Sequence, residues 1–134
     1  MEAIIGECRD KDVVSTICSI LELDLLTTTF TSNTFQANVK TQCIKDARIF
    51  GIVSWFNCLL APGSALDTSP FSKPTHWKQM MFPFSHSYIC KKDELLTINV
   101  DIKPLPHNHR ALSVDFKVVN EESSVVAKQV YTTE

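Results

Sequence analysis

Few side chains in this sequence have the types that could do chemistry. His76 and Trp77 stand side by side after a proline-rich stretch. An imidazole there could form a hydrogen bond or carry a proton, and an indole could offer a flat face for stacking. Residue type alone predicts a surface position for the histidine and a core position for the tryptophan. The pair becomes a candidate site only if a further pattern supports it.

Two other groups of polar residues have side chains that could bind a metal or catalyse a reaction, but their spacing does not indicate a site. His107 and His109 could face the same side of an extended segment, and Cys90 could join them at a zinc ion. Because no third ligand is adjacent in sequence, we favour a solvated turn and assign no metal site. Glu121 and Glu122 fall in a predicted hairpin turn, where they favour solubility over catalysis.

The glycine pattern of a nucleotide-type cofactor site is missing. Gly6, Gly51 and Gly63 are isolated, and none follows a predicted strand and opens a helix. The sequence also contains no H-E-x-x-H or G-x-S-x-G motif. We therefore assign no cofactor-binding residue.

Composition is that of an ordinary globular protein. The 134 residues are 44% hydrophobic and 21% charged, with a net charge of −2, and predict a single domain over residues 1–134. Without a basic run we expect no nucleic-acid partner, and without an apolar stretch of about 20 residues we expect no membrane span. The five cysteines are odd in number and form no C-x-x-C pair, which favours a reducing intracellular compartment over a disulfide framework.

The elements that must position these residues are predicted to be strands. Apolar and polar residues alternate around Leu21–Leu25, Phe35–Val39, Leu96–Ile102 and Leu112–Val118, and a last strand follows from Val125 to Tyr131. With no convincing long helix, this pattern predicts an all-β fold: an antiparallel β-barrel or sandwich of roughly eight or more strands with short turns.

The apolar stretch from Ile49 to Leu60 predicts one strand that is covered on both faces. Gly51 within it indicates a bend or a close approach of another backbone. Pro62 and Gly63 end the stretch with a turn.

Three segments are notable for the residues they contain. The central one runs from Asp67 to Gln79, contains Ser-Pro and ends in Thr-His-Trp-Lys-Gln. The upstream segment is Phe50–Phe56, and the downstream segment, from Asn108, reads Asn-His-Arg-Ala-Leu. In order and approximate spacing they resemble the C-terminal β-barrel of protein arginine methyltransferases. Thr-His-Trp alone would be a weak match, but in this setting it is fairly specific.

The resemblance implies a part of an enzyme that transfers a methyl group from S-adenosylmethionine to arginine guanidinium in proteins. In that family a separate Rossmann-like domain holds the cofactor and two glutamates that grip the arginine, while the barrel closes the cleft. We therefore expect the chain alone to bind no cofactor and to be inactive. Its expected partners are arginine-containing protein substrates and the catalytic domain, in the cytoplasm or nucleus. A homodimer is expected only of the full-length protein, because this sequence lacks the family's helical arm.

The resemblance also implies roles for the loop residues. His76 is expected to be catalytic, through a hydrogen bond to a carboxylate of the catalytic domain or by passing on a proton. Trp77 is expected either to line the substrate cleft or to lie in the core. Thr75 is expected to line the cleft and to fix the loop by a bond from its side chain to the backbone. Lys78 and Gln79 are expected to be strand residues that support the loop.

Two alternatives belong to other classes. The first is a non-catalytic β-sandwich that binds a catalytic subunit or another protein. The second is a β-sandwich unrelated to methylation, which would be favoured if the loop from Thr75 to Trp77 were buried inside the barrel.

Overall fold

The chain folds into nine strands over the residues that the computed structural model describes, 1–29 and 34–133. All pairs between these strands are antiparallel, which confirms the predicted all-β antiparallel class. A single 3-10 turn, Asp10–Asp12, follows the first strand. Within the described ranges no helix is long and apolar enough to cross a bilayer. The strands are β1 Ile4–Gly6, β2 Phe35–Gln42, β3 Ala47–Ser54, β4 Asn57–Ala61, β5 Ser64–Asp67, β6 Gln79–Cys90, β7 Leu95–Leu105, β8 Asn108–Val119 and β9 Val125–Thr132.

Two sheets and a separate hairpin make up the architecture. The larger sheet has the order β2-β7-β8-β9, the smaller has the order β1-β6-β3, and β4 pairs with β5. Alternation along the strands produces the registers of the larger sheet: Val100 of β7 pairs with Ala37 on one side and with Phe116 on the other. Apolar side chains therefore form rows on one face of the sheet.

The core lies between the two sheets and is built around three aromatic rings. Phe82 of the smaller sheet meets Phe116 and Tyr131 of the larger sheet edge-on, with ring centroids 4.8 and 5.2 Å away. Such edge-to-face pairs contribute beyond simple burial. The hydroxyl of Tyr131 donates to the carbonyl of Pro83, and burial raises the pKa of this fully buried tyrosine.

The N-terminal segment links the two sheets. Thr132 N donates to Met1 O at 3.0 Å, and Ala3 N donates to Thr132 O at 3.4 Å, so residues 1–3 run beside β9. The chain then continues as β1, which pairs with β6. The wall of strands is therefore continuous from the larger sheet to the smaller one, as in a barrel.

The predicted strand at Leu21–Leu25 is wrong. This segment has no strand partner within the described residues, and Leu21, Leu23 and Leu25 are all exposed. Asp24 instead organises a turn, because its carboxylate accepts Leu26 N at 3.0 Å and its carbonyl accepts Thr28 N at 2.9 Å. Alternation alone does not make a strand where no neighbour completes the ladder.

The predicted double-faced strand from Ile49 to Leu60 is also wrong. The chain leaves the smaller sheet after Ser54 and starts the β4–β5 hairpin at Asn57, and Phe50, Leu59 and Leu60 are exposed. The close approach at Gly51 is confirmed: a Cβ there would lie 2.5 Å from the carbonyl oxygen of Phe82. The turn at Gly63 is confirmed as well, with φ +78° between β4 and β5.

Candidate functional site

The Thr75–Trp77 loop lies at one end of the smaller sheet, where β1 and β3 finish and β6 begins. The last residue of β1, Gly6, pairs with Gln79, and the last residue of β3, Ser54, pairs with Met80. The β4–β5 hairpin leaves from the same end through Trp55 and Phe56. Three chain segments therefore meet at this end of the sheet.

His76 and Trp77 form a stacked pair on this end. Their ring centroids are 3.8 Å apart with 32° between the planes. Both are exposed, and Trp77 keeps 48% of its accessible surface, so the core alternative for the tryptophan is wrong. The rings of Phe56 and Trp77 form a T-shaped pair at a centroid distance of 6.2 Å and an angle of 87°. This contact braces the indole on one side.

A second aromatic pair continues the surface. Trp55 and Phe71 meet edge-on with centroids 6.1 Å apart, and Phe71 is exposed. The two pairs are joined along the chain at Trp55 and Phe56, and we call the five residues the aromatic edge: Trp55, Phe56, Phe71, His76 and Trp77. An exposed group of this kind is typical of a surface that meets a ligand or another protein.

Thr68 anchors the loop from behind. It is 1% exposed, and its hydroxyl donates to Phe56 O at 2.7 Å and accepts from Phe56 N at 3.1 Å. Thr68 N also donates to Phe56 O, at 3.2 Å. These bonds hold the segment after β5 against the backbone of Phe56, the residue whose ring contacts Trp77.

Gln79 anchors the other end of the loop. It is 6% exposed, and its Nε2 donates to Thr68 O at 2.9 Å while its Oε1 accepts from Cys8 N at 2.7 Å. The amide therefore joins three segments, and its position at the start of β6 confirms the expectation that Gln79 is a strand residue supporting the loop. Burial, and then the charge of Asp12, raise the pKa of the nearby Cys8 thiol, which favours its neutral form.

The backbone between these anchors forms a strained turn. Lys78 has φ 55°, an uncommon conformation for a side chain with a Cβ, and its N–H donates to Thr75 O at 3.3 Å. Lys78 therefore belongs to the turn, and the expectation that it is a strand residue is wrong. The expected side-chain bond of Thr75 is also wrong, because its buried hydroxyl has no hydrogen-bond partner in the described structure.

The remaining candidate residues do not join this site. His107 lies in the tight turn between β7 and β8, and His109 lies at the start of β8. Among the described residues, no three histidine, cysteine or acidic side chains come together in a way that could hold a metal ion. Glu121 has a structural role, since its carboxylate accepts Leu95 N at 2.8 Å.

The glycines do not form a cofactor cradle. Gly6 lies in β1 and Gly51 in β3, while Gly63 lies in the β4–β5 turn. None of these positions opens a helix onto which a phosphate-like or carboxylate group could bind. In the described part of the chain, the residues therefore do not fit the S-adenosylmethionine site that the family resemblance implies for the full-length enzyme.

Reasoning from the sequence missed Thr68 and Phe56. Neither shows a period-two signal, because Thr68 follows a four-residue strand and Phe56 lies in the link between β3 and β4. The Thr68-Ser69-Pro70 run was the available signal, since short hydroxyl side chains beside a proline favour bonds to nearby backbone. Its partner twelve residues earlier could not be read from spacing.

Comparison with known proteins identifies the family. The family model described as "Arginine methyltransferase oligomerization subdomain" matches residues 1–122. The chain is 27% identical over 125 residues to protein arginine N-methyltransferase 1 of Dictyostelium discoideum, covering 90% of this chain and 37% of that protein. It is 29% identical over 110 residues to protein arginine N-methyltransferase 1 of Schizosaccharomyces pombe, covering 79% of this chain and 32% of that protein. The chain thus spans less than two fifths of the length of these relatives.

Solved structures share the fold. A chain of the Trypanosoma brucei PRMT1 enzyme-prozyme heterotetrameric complex with AdoHcy superposes with a TM-score of 0.90 at 19% identity, over 99% of this chain and 44% of that one. Arabidopsis thaliana protein arginine methyltransferase 10 gives a TM-score of 0.88 at 19% identity, over 99% of this chain and 42% of that one. The family match over residues 1–122 excludes an unrelated β-sandwich. The chain therefore belongs to the arginine methyltransferase oligomerization subdomain family, the C-terminal β-barrel of protein arginine methyltransferases.

Proposed function

We propose that this chain is the substrate-side barrel of a protein that methylates arginine guanidinium groups in proteins with S-adenosylmethionine. In this proposal the loop from Thr75 to Trp77 closes the substrate cleft, and a separate catalytic domain supplies the cofactor site. The observation that supports it best is the exposed stack of His76 on Trp77 at the end of the barrel where the aromatic edge lies.

The chemistry of the target explains why such a loop is useful. An arginine guanidinium stays protonated in proteins and presents a planar cation, so it is recognised by carboxylates and by flat aromatic faces. Trp77 offers such a face, and its stacking on a guanidinium would be favourable by about 0.5–2 kcal/mol. His76 can donate a hydrogen bond to a carboxylate of the catalytic domain, or move a proton at its ring nitrogen. In this proposal the carboxylates that grip the guanidinium belong to the catalytic domain.

Exposed apolar side chains support the presence of a covering partner. Leu26 is 95% exposed and Leu59 is 83% exposed, and Leu25 and Leu60 are also largely exposed. Apolar residues that are exposed side by side mark surfaces that another protein covers, whereas single ones are ordinary, so the adjacent pair Leu59 and Leu60 carries this argument. Leu59 and Leu60 lie on the hairpin that leaves the barrel beside the aromatic edge. The catalytic domain is the partner that this proposal assigns to them.

Calorimetry on the chain alone tests the division of labour. We expect no saturable heat when S-adenosylmethionine is titrated into the chain, and no methyl transfer to an arginine- and glycine-rich peptide. A longer protein that contains this chain and its catalytic domain serves as the positive control. Saturable cofactor binding to the chain alone would contradict the proposal.

A second candidate function is a non-catalytic module that docks onto a catalytic subunit. It is favoured by the family description as an oligomerization subdomain and by the likeness to a chain of an enzyme-prozyme complex. A pull-down with the chain as bait distinguishes the two. If the chain recovers an active methyltransferase, and the His76→Ala chain recovers the same activity, the docking module is favoured.

A further inference from the structure

Two buried polar side chains lie directly behind the candidate loop. Thr68 and Gln79 are 1% and 6% exposed. A buried hydroxyl or amide is costly unless it is hydrogen-bonded, and here the Thr68 hydroxyl and both ends of the Gln79 amide have partners. All of these bonds go to backbone groups, so the two side chains fix the course of the chain.

The contacts of Gln79, Thr68 and Phe56 form a closed ring of interactions that begins and ends at Trp77. Along the chain, Trp77 leads to Gln79, whose amide donates to the carbonyl of Thr68. The hydroxyl of Thr68 bonds to both backbone groups of Phe56, and the ring of Phe56 meets Trp77 edge-on. The ring of interactions therefore closes at the indole on which His76 is stacked.

We infer that Thr68 and Gln79 are positioning residues that hold the His76–Trp77 stack in its orientation. The purpose of that orientation rests on the proposed function, but the positioning itself rests on the contacts of this chain alone. A held orientation matters because a misplacement of about 1 Å in a catalytic arrangement can cost roughly 100-fold in rate. The left-handed backbone of Lys78 agrees with this inference, because such conformations persist only where the surrounding structure fixes them.

The network can be weakened without removing every bond around Phe56. In Thr68→Val the shape is retained and the hydroxyl is lost, so Phe56 N loses its partner. Phe56 O keeps the bond from Thr68 N at 3.2 Å. We therefore expect a folded chain in which the Phe56 ring, and with it the indole, is less firmly held.

Nuclear magnetic resonance of the aromatic protons tests the inference on the chain itself. The Trp77 ring current shifts the ring protons of the stacked His76 upfield, and Trp77→Ala defines their position without the stack. We expect Thr68→Val and Gln79→Met each to move the His76 resonances most of the way to that position. Thr68→Ser, which retains the hydroxyl, is expected to keep them near the wild-type position.

Thr41→Val is the matched control for a purely structural effect. Thr41 is also buried, and its hydroxyl donates to Thr16 O at 2.6 Å, at the edge of β2. This variant is expected to lower thermal stability while leaving the His76 resonances in place. If Thr68→Val does not fold, Gln79→Met provides the test.

The inference is overturned if the folded variants keep the wild-type His76 shifts, or if Thr41→Val moves them as far as Thr68→Val does. Turnover of the longer protein separates this failure from a failure of the proposed function. If Thr68→Val loses the stack but His76→Ala keeps full turnover, the positioning inference stands and the cleft role is contradicted. If Thr68→Val keeps the stack but His76→Ala loses turnover, the positioning inference is contradicted and the cleft role stands.

Discussion

The imidazole of His76 is stacked on the indole of Trp77, with ring centroids 3.8 Å apart and 32° between the planes. The two residues lie in a turn that the bond from Lys78 N to Thr75 O closes. Both residues are exposed, so the pair remains open to solvent although the Phe56 ring meets the indole in a T-shaped contact. This arrangement orients two side chains that the barrel itself does not need for its core.

Removal of the indole should cost the chain little stability. Trp77 is half exposed, so we expect Trp77→Ala to lower the free energy of unfolding far less than Phe82→Ala. Phe82 lies between Phe116 and Tyr131 in the core, and its truncation should cost about 3–5 kcal/mol. Urea denaturation of both variants measures the difference. Similar losses would show that Trp77 has a structural role after all.

Two glycine substitutions should differ in cost. A Cβ at Gly51 would lie 2.5 Å from Phe82 O, and because the clash is with backbone it cannot be relieved by a side-chain rotation. We expect Gly51→Ala to cost about 1–3 kcal/mol or more by forcing β3 from β6. Gly63→Ala meets no atom and suffers only from its positive φ, at about 1–2 kcal/mol. Thermal unfolding of the two variants ranks the costs, and a larger loss at Gly63 would contradict the register at β3.

Thr75→Val should be neutral or stabilising in the chain alone. The Thr75 hydroxyl is buried without a hydrogen-bond partner in the described structure, so replacing it by a methyl group removes an unsatisfied polar atom. Thr68→Val removes a satisfied one and should cost about 1–3 kcal/mol. Chemical denaturation compares the pair. A marked loss in Thr75→Val would indicate a hydrogen bond at that hydroxyl.

Stability should fall at alkaline pH in a way that depends on Cys43. Burial, followed by the neighbouring Cys90 thiol and the Glu94 carboxylate, raises the pKa of Cys43 to about 12. Because the folded chain keeps the thiol protonated while the unfolded chain loses the proton near the ordinary thiol pKa, this contribution is complete below the ordinary value. It is lost as pH rises from there towards about 12. The free energy of unfolding of Cys43→Ala should therefore decline less steeply over that range than that of wild type, and equal slopes would contradict the assignment.

The sequence predicts the long strands of the larger sheet well. Around Val100 and Phe116, inward apolar residues alternate with outward polar ones, and each strand has neighbours that complete its ladder. The same alternation at Leu21–Leu25 predicts a strand where there is none, because pairing depends on a neighbour that the local sequence does not specify. The close approach at Gly51 is predictable, because a glycine inside a strand indicates that another backbone leaves no room for a Cβ.

The candidate site was only partly predictable. His76 and Trp77 were found through a family resemblance, since residue type alone favours a surface histidine and a core tryptophan. The Thr68–Phe56 bonds and the Gln79 amide bridge join segments far apart in sequence, so no local pattern indicates them. The left-handed conformation of Lys78 was likewise unpredictable, because a lysine gives no signal for it.

The most direct test of the proposed role is the turnover of a protein in which this chain is joined to a catalytic domain, compared between His76→Ala and His86→Ala. Both residues are exposed histidines, but His86 lies within β6 and its ring nitrogen contacts only the Ser85 hydroxyl among the described contacts, at 3.3 Å. We predict that His76→Ala lowers turnover by about 100-fold or more, the contribution usual for a general acid or base, while His86→Ala and the thermal stability of both variants stay close to wild type. Full turnover in His76→Ala, at the level of the wild-type protein, would contradict the assignment of this loop to the substrate cleft.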